Sequence, residues 1–217
     1  MFDSVSLYWF TDELVKLAED IQPGDIVIMS QRREAPGTKR GILGEAFATL
    51  APRVQGALGH SAIVSTRGTI IESRIDEGVT EKTFRNAVRG MSYTVKRPPF
   101  SEETRKKAAK FAEKQVGKAY STSDLLLESV GAVLPESLTL GIQKKLELPR
   151  DREGYTCASL ITAAYGSAKL SNISGRLTTP GDFVYSDKLP TVKTKVKDHS
   201  PLFSPTIGRI VRGLRDN

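Results

Sequence analysis

The chain has 217 residues, 39% of them hydrophobic, with a formal net charge of +7, one cysteine and two histidines. That length and apolar content supply one sizeable core without requiring a second domain. A single cysteine excludes an internal disulfide framework and suits a reducing compartment, and one thiol with two histidines at unrelated spacings cannot complete a structural zinc site.

At the N-terminus, Met1 to Phe10 has no basic region and no small-residue cleavage site, so it does not read as a secretory signal. No run in the chain approaches the roughly 18 to 20 apolar residues of a membrane span. Thr11 reads as an N-cap, Asp12 and Glu13 as first-turn acids, and Leu14, Leu17, Ala18 and Ile21 recur at helical spacing, which predicts a helical extension over 1–21. Trp9 and Phe10 either anchor that helix to the core or form an aromatic docking patch. Pro23 and Gly24 end it, and Asp25 to Ser30 is the first predicted strand.

From 31 to 58 the pattern is irregular, broken by Pro36, Gly37, Gly41 and Gly44 and carrying Arg32, Arg33, Lys39, Arg40 and Arg53. A connection that long is either functional, here a lid over a cleft, or a solvated excursion with a short helix at Leu43 to Leu50. Its glycines do not form a Walker loop or a dinucleotide fingerprint.

His60 to Ser65 then reads as a short apolar strand, with a turn at Thr66-Arg67-Gly68 and a return strand at Thr69 to Ser73. In an antiparallel pair this puts His60 and Glu72 at the same end of the ladder, where a carboxylate raises the imidazole pKa and fixes its tautomer. Further strands are predicted at Gly78 to Phe84 and Met91 to Arg97. Ser101 with Glu102 and Glu103 opens a helix buried along Ala108, Phe111, Ala112 and Val116 and stopped at Gly117. Leu125 to Leu134 and Leu138 to Leu148 read as two helices of an insert spanning 125–153. The insert either walls a pocket or docks on a membrane surface or partner, since Lys144 and Lys145 lie beside leucines.

Gly154 breaks the chain before Tyr155-Thr156-Cys157-Ala158-Ser159-Leu160-Ile161. With Thr156 as N-cap, Cys157 falls in the first helical turn, where unpaired N–H groups and the helix dipole favour thiolate over thiol. The alternative is an inert, buried cysteine packing as a small hydrophobe. With His60 as base and Glu72 as orienting acid, Cys157 completes a nucleophile constellation. The segment 188–217 carries seven Lys or Arg against two Asp and three prolines. It reads as a basic C-terminal extension, either a solvated tail or a segment drawn to an anionic surface such as nucleic acid or lipid. His199 lies within it and reads as a surface residue.

In order along the chain, PGDIVI, GHSAIV, TIIES, GV, VKRP, GKAYS, YTCASLI and Pro180-Gly181-Asp182 resemble the circularly permuted NlpC-type, papain-like thiol hydrolases of the YiiX-like branch. The resemblance runs from about Gln22 to Asp182. It implies an α+β, permuted papain-like domain over 22–187, with a small, mainly antiparallel sheet packed against helices. It also implies Cys157, His60 and Glu72 as catalytic residues, with Tyr120, Tyr155 and Ser61 near the substrate and no metal or cofactor.

The activity so implied is a cysteine hydrolase or amidase acting on a cell-wall-type peptide, a protein conjugate or a lipid acyl group. Such a protein is expected to be cytoplasmic or virion-associated. Two other classes stand beside it: an idle papain-like domain kept for binding or assembly, for example in a virion or envelope, and a basic nucleic-acid-associated module working through the tail.

Overall fold

A computed structural model describes residues 20–29, 59–123, 125, 153–166 and 179–195. The predicted N-terminal helix, the 31–58 loop, the 125–153 insert and the end of the basic tail lie almost wholly outside these residues. Among the described residues no helix is long and apolar enough to cross a membrane.

The fold is α+β, built on a six-stranded sheet. Its strands are β1 (Ile26–Met29), β2 (His60–Val64), β3 (Ile70–Arg74), β4 (Gly78–Lys82), β5 (Tyr93–Lys96) and, after two short strands described below, β8 (Thr191–Lys195). They lie in the order β4-β3-β2-β1-β5-β8, and every neighbouring pair is antiparallel. β1 sits inside the sheet and is buried along its whole length, which is why it reads Ile-Val-Ile-Met rather than as an alternation of apolar and polar residues. Alternate side chains of β1 serve two different cores. Ile26 and Ile28 join Ile63 and Ile71 on one face, while Val27 and Met29 join Ala62, Val64, Ile70, Tyr93 and Val95 on the other.

Helices cover the first of these faces. Besides the short α1 (Phe84–Ala87), they are α2 (Glu102–Glu113), α3 (Cys157–Tyr165) and α4 (Pro180–Tyr185). Ala108 and Ala112 of α2, Ala158, Leu160, Ile161 and Tyr165 of α3 and Phe183 of α4 enter the same core as the β1 isoleucines. Small residues let α2 and α3 lie close together over the strands. β6 (Ala119–Tyr120) and β7 (Gly154–Tyr155) form a separate parallel pair that leads the chain into α3. A side chain at Gly154 would put its Cβ 2.5 Å from the Ala119 carbonyl oxygen, so only glycine allows this approach.

Three expectations change. Val116, expected in the buried stripe of the helix, is 44% exposed, because α2 ends at Glu113 and Val116 lies in the turn beyond it. The strand expected to reach Phe84 ends at Lys82, since the Thr83 hydroxyl caps α1 by accepting from the Asn86 N–H. Thr191 to Lys195, placed within the basic C-terminal extension over 188–217, is an edge strand paired with β5. Thr94 and Thr194 are hydroxyl-bonded across it at 2.8 Å, and Val192 packs on the second core. Lysines on an edge strand guard it against pairing with other chains, so their presence does not argue against sheet.

Candidate active site

The site forms where α3 meets the open end of the β2–β3 pair. Thr156 caps α3 from extended backbone: its hydroxyl accepts from the Ser159 N–H at 3.0 Å, and the Ser159 hydroxyl accepts from the Thr156 N–H at 2.8 Å. This reciprocal capping box fixes the entry angle of the helix and places half-buried Cys157 at its first position. The cap uses the N–H groups of Thr156 and Ser159. Among the described residues no acceptor takes the N–H of Cys157 or Ala158.

The β2–β3 ladder runs from Val64–Ile70 to Ala62–Glu72, so Ser61 and Ser73 lie just past its last pair. Both face α3. Ser73 donates its hydroxyl to the Tyr155 carbonyl oxygen at 2.6 Å, tying β3 to the residue before the cap. Ser61 and the His60 imidazole lie near enough to the Cys157 thiol for both to favour its ionised form. His60 is 13% exposed, and its Nε2 lies 2.8 Å from Oε2 of Glu72, which is 0% exposed. With Nε2 held by the carboxylate, Nδ1 is the ring nitrogen left for Cys157.

The charges of the three groups follow from this packing. Burial opposes the imidazolium of His60, but hydrogen bonds and charge from Cys157 and Glu72 outweigh it, and the pKa is raised to about 9. Burial likewise opposes the Cys157 thiolate and is outweighed by His60 and Ser61, so the thiol falls below its ordinary value. Burial would also push the Glu72 carboxyl up. His60 and Arg74 hold it well below the usual carboxylate range. These shifts run together toward a thiolate–imidazolium pair beside an ionised carboxylate, and the thiolate is the form of cysteine that attacks carbonyl carbon.

The structure brings Cys157, His60 and Glu72 together and sets the other expected site residues around them. Ser61 is fully buried, and its main-chain and side-chain groups favour the Cys157 thiolate. Tyr155, expected near the substrate, is 1% exposed in the core, with its hydroxyl 3.3 Å from Gln115 Oε1. Tyr120 is half-buried beside it on β6. Two site residues were not foreseen from sequence: Arg74 Nε lies 2.9 Å and Lys82 Nζ 3.0 Å from Glu72 Oε1. Arg74 follows Glu72 by two places on the same face of β3, a visible spacing; Lys82 required the β3–β4 register. Among the described residues no cluster of three His, Cys, Asp or Glu forms a metal-ligand set.

The chain matches no protein-family model and no curated protein. Among solved structures it is similar to that of metalloprotein YiiX from Escherichia coli O157:H7, with a TM-score of 0.48 and 15% sequence identity over 82% of this chain and 99% of that one.

Proposed function

We propose that the protein is a cysteine hydrolase of the permuted NlpC, papain-like kind, cleaving an amide, ester or thioester through an acyl-enzyme. The observation that carries this reading is one imidazole shared between Cys157, at a helix N-terminus, and a fully buried carboxylate. The chain order His60, Glu72, Cys157 is that of the permuted branch.

In this mechanism the Cys157 thiolate adds to the carbonyl carbon, and the carbonyl oxygen takes the negative charge. The N–H groups of Cys157 and Ala158, which have no acceptor among the described residues, lie at the positive end of α3 and are the donors for that oxyanion. His60 then gives its proton to the departing amine or alcohol as the acyl–sulfur bond is completed. Water, deprotonated by the now neutral His60, adds to the thioester and releases the acid, returning thiolate and imidazolium. Glu72 keeps the ring in place and stabilises its charged form. For the substrate, a peptide or acyl amide of cell-wall, protein-conjugate or lipid origin follows from the family resemblance.

Alkylation by iodoacetamide tests the reading without knowledge of the substrate. At pH 7 the wild type is expected to react at least tenfold faster than His60→Ala, and Cys157→Ala not at all. Equal rates for wild type and His60→Ala, both at the pace of an ordinary thiol, would overturn it.

A further inference from the structure

We propose that Arg74 and Lys82 are positioning residues of this site, two cations of the β3–β4 hairpin that hold Glu72 Oε1 and, through its charge, set the pH window of the thiolate–imidazolium pair. The inference rests on the hydrolase reading and adds to it a charge control outside the three reacting residues.

Glu72 has no exposed surface, yet its two oxygens meet three cationic groups: His60 on Oε2, Arg74 and Lys82 on Oε1. Each comes from a different strand. His60 begins β2, Arg74 ends β3, and Lys82 ends β4 on the same face, diagonal to Glu72 across the Glu72–Thr80 pair. An isolated carboxylate buried this deeply takes up a proton rather than bear the cost of desolvation. With His60 as its only partner, Glu72 and the ring would divide one proton between them. The two further cations remove that option by keeping Glu72 ionised and fixing the oxygen that does not face the ring.

They also moderate it. A carboxylate paired with imidazole alone would make the ring a stronger base, and His60 must release its proton to a leaving group. General acids work best with a pKa near the working pH. Positive charge on Oε1 offsets part of the pull of Glu72 on the imidazolium. The cations are themselves graded by acids of the hairpin turn: Lys82 is ion-paired with Glu77, and Arg74 lies in the field of Glu77 and Asp76. The groups acting on Glu72 are thus His60 from β2, with Cys157 of α3 behind it, Arg74 from β3, Lys82 from β4, and Glu77 and Asp76 from the turn.

Charge control predicts opposite shifts from two surface-accessible substitutions. Lys82→Met removes a positive charge and is expected to move both the thiolate-forming limb of the iodoacetamide rate profile and the His60 titration, followed by imidazole NMR, to higher pH. A shift of about half a unit to one unit corresponds to roughly three- to tenfold in the protonation equilibrium. Glu77→Gln removes a negative charge and is expected to move both to lower pH by a smaller amount. A merely structural role would change amplitudes or stability and leave the midpoints in place. Unmoved midpoints, or midpoints that move the same way in both variants, overturn the inference, and should Lys82→Met not fold, Glu77→Gln alone decides. His60→Ala is the control: if its alkylation equals that of the wild type, the hydrolase reading fails instead.

Discussion

His60 and Glu72 meet across two strands without being partners in the ladder: Glu72 stands opposite Ala62, and the imidazole reaches diagonally to bring Nε2 within 2.8 Å of Oε2. The diagonal leaves the ring at the open end of the strand pair, where α3 delivers the thiol.

Glu72→Gln should therefore narrow the active range from the alkaline side. If the protein is the proposed hydrolase, the wild type is expected to lose His60-dependent activity as pH rises through about 9, whereas in the variant the loss should begin nearer the ordinary imidazole value of 6.5. Stability should respond at the acid end. A carboxyl held below its ordinary 4.5 stabilises the fold fully above that value, and the contribution fades as pH falls through the depressed folded pKa. Urea unfolding should thus show a steeper acid loss in wild type than in Glu72→Gln. At pH 7 the variant should be weaker by about 2–3 kcal/mol, the range for breaking a buried charge network whose other members are partly solvated.

Ser61 offers a variant with the opposite balance. Its main-chain N–H and hydroxyl both favour the Cys157 thiolate, yet Oγ is buried with no hydrogen-bond partner among the described residues. A hydroxyl is a weaker donor to a thiol than to a thiolate, so its effect is expected on the ionised form. Ser61→Ala should raise the thiol titration midpoint by a few tenths of a pH unit and leave thermal stability unchanged or slightly higher. An unsatisfied buried hydroxyl costs about 1–3 kcal/mol, which alanine does not incur. A drop in stability with no change in alkylation profile would show that the hydroxyl only packs.

Much of this site is written in short-range pattern. The alternation from His60 to Val64, the turn at Thr66-Arg67-Gly68 and the return strand suffice to put His60 and Glu72 at one end of a hairpin. Thr156 before an apolar run marks the start of α3. What pattern does not carry is register between elements and the burial that depends on it. Lys82 joins Glu72 only because β4 pairs Thr80 with Glu72, and Tyr155 looks available to substrate until β6 and α2 close over it. Charge misled at Thr191 to Lys195, where alternating threonine and lysine serve an edge strand. Readings made for the N-terminal helix, the loop over 31–58 and the insert fall outside the described residues.

The capping box links fold stability to thiol chemistry. Thr156→Ala or Ser159→Ala should each cost about 1 kcal/mol, the usual worth of an N-cap, measured by urea unfolding. Both free an N–H of the first turn and loosen the backbone beside Cys157. The thiol midpoint is expected to rise in each variant through the backbone of the first turn. Unchanged alkylation in a measurably destabilised variant would separate the cap from the thiol.

The far end of α3 gives the last prediction. The Tyr165 hydroxyl donates to the Gly24 carbonyl oxygen, fastening the helix to the chain entering β1. Gly24 has φ +84°, and a Cβ there would lie 2.6 Å from the Arg105 carbonyl oxygen and 2.7 Å from the Tyr165 hydroxyl oxygen. Gly68 has φ +77° with nothing within 4 Å of the same position. Gly68→Ala should therefore cost only the backbone strain of a left-handed residue, about 1–2 kcal/mol. Gly24→Ala adds a clash with main chain that cannot rotate away, and its cost should exceed that of Gly68→Ala by at least about 1 kcal/mol. If the strap also aligns α3, Tyr165→Phe should slow His60-dependent alkylation of Cys157 in the folded protein. Gly68→Ala, far from the helix, should not. Equal urea midpoints for the two glycine variants would remove the argument from close packing at Gly24.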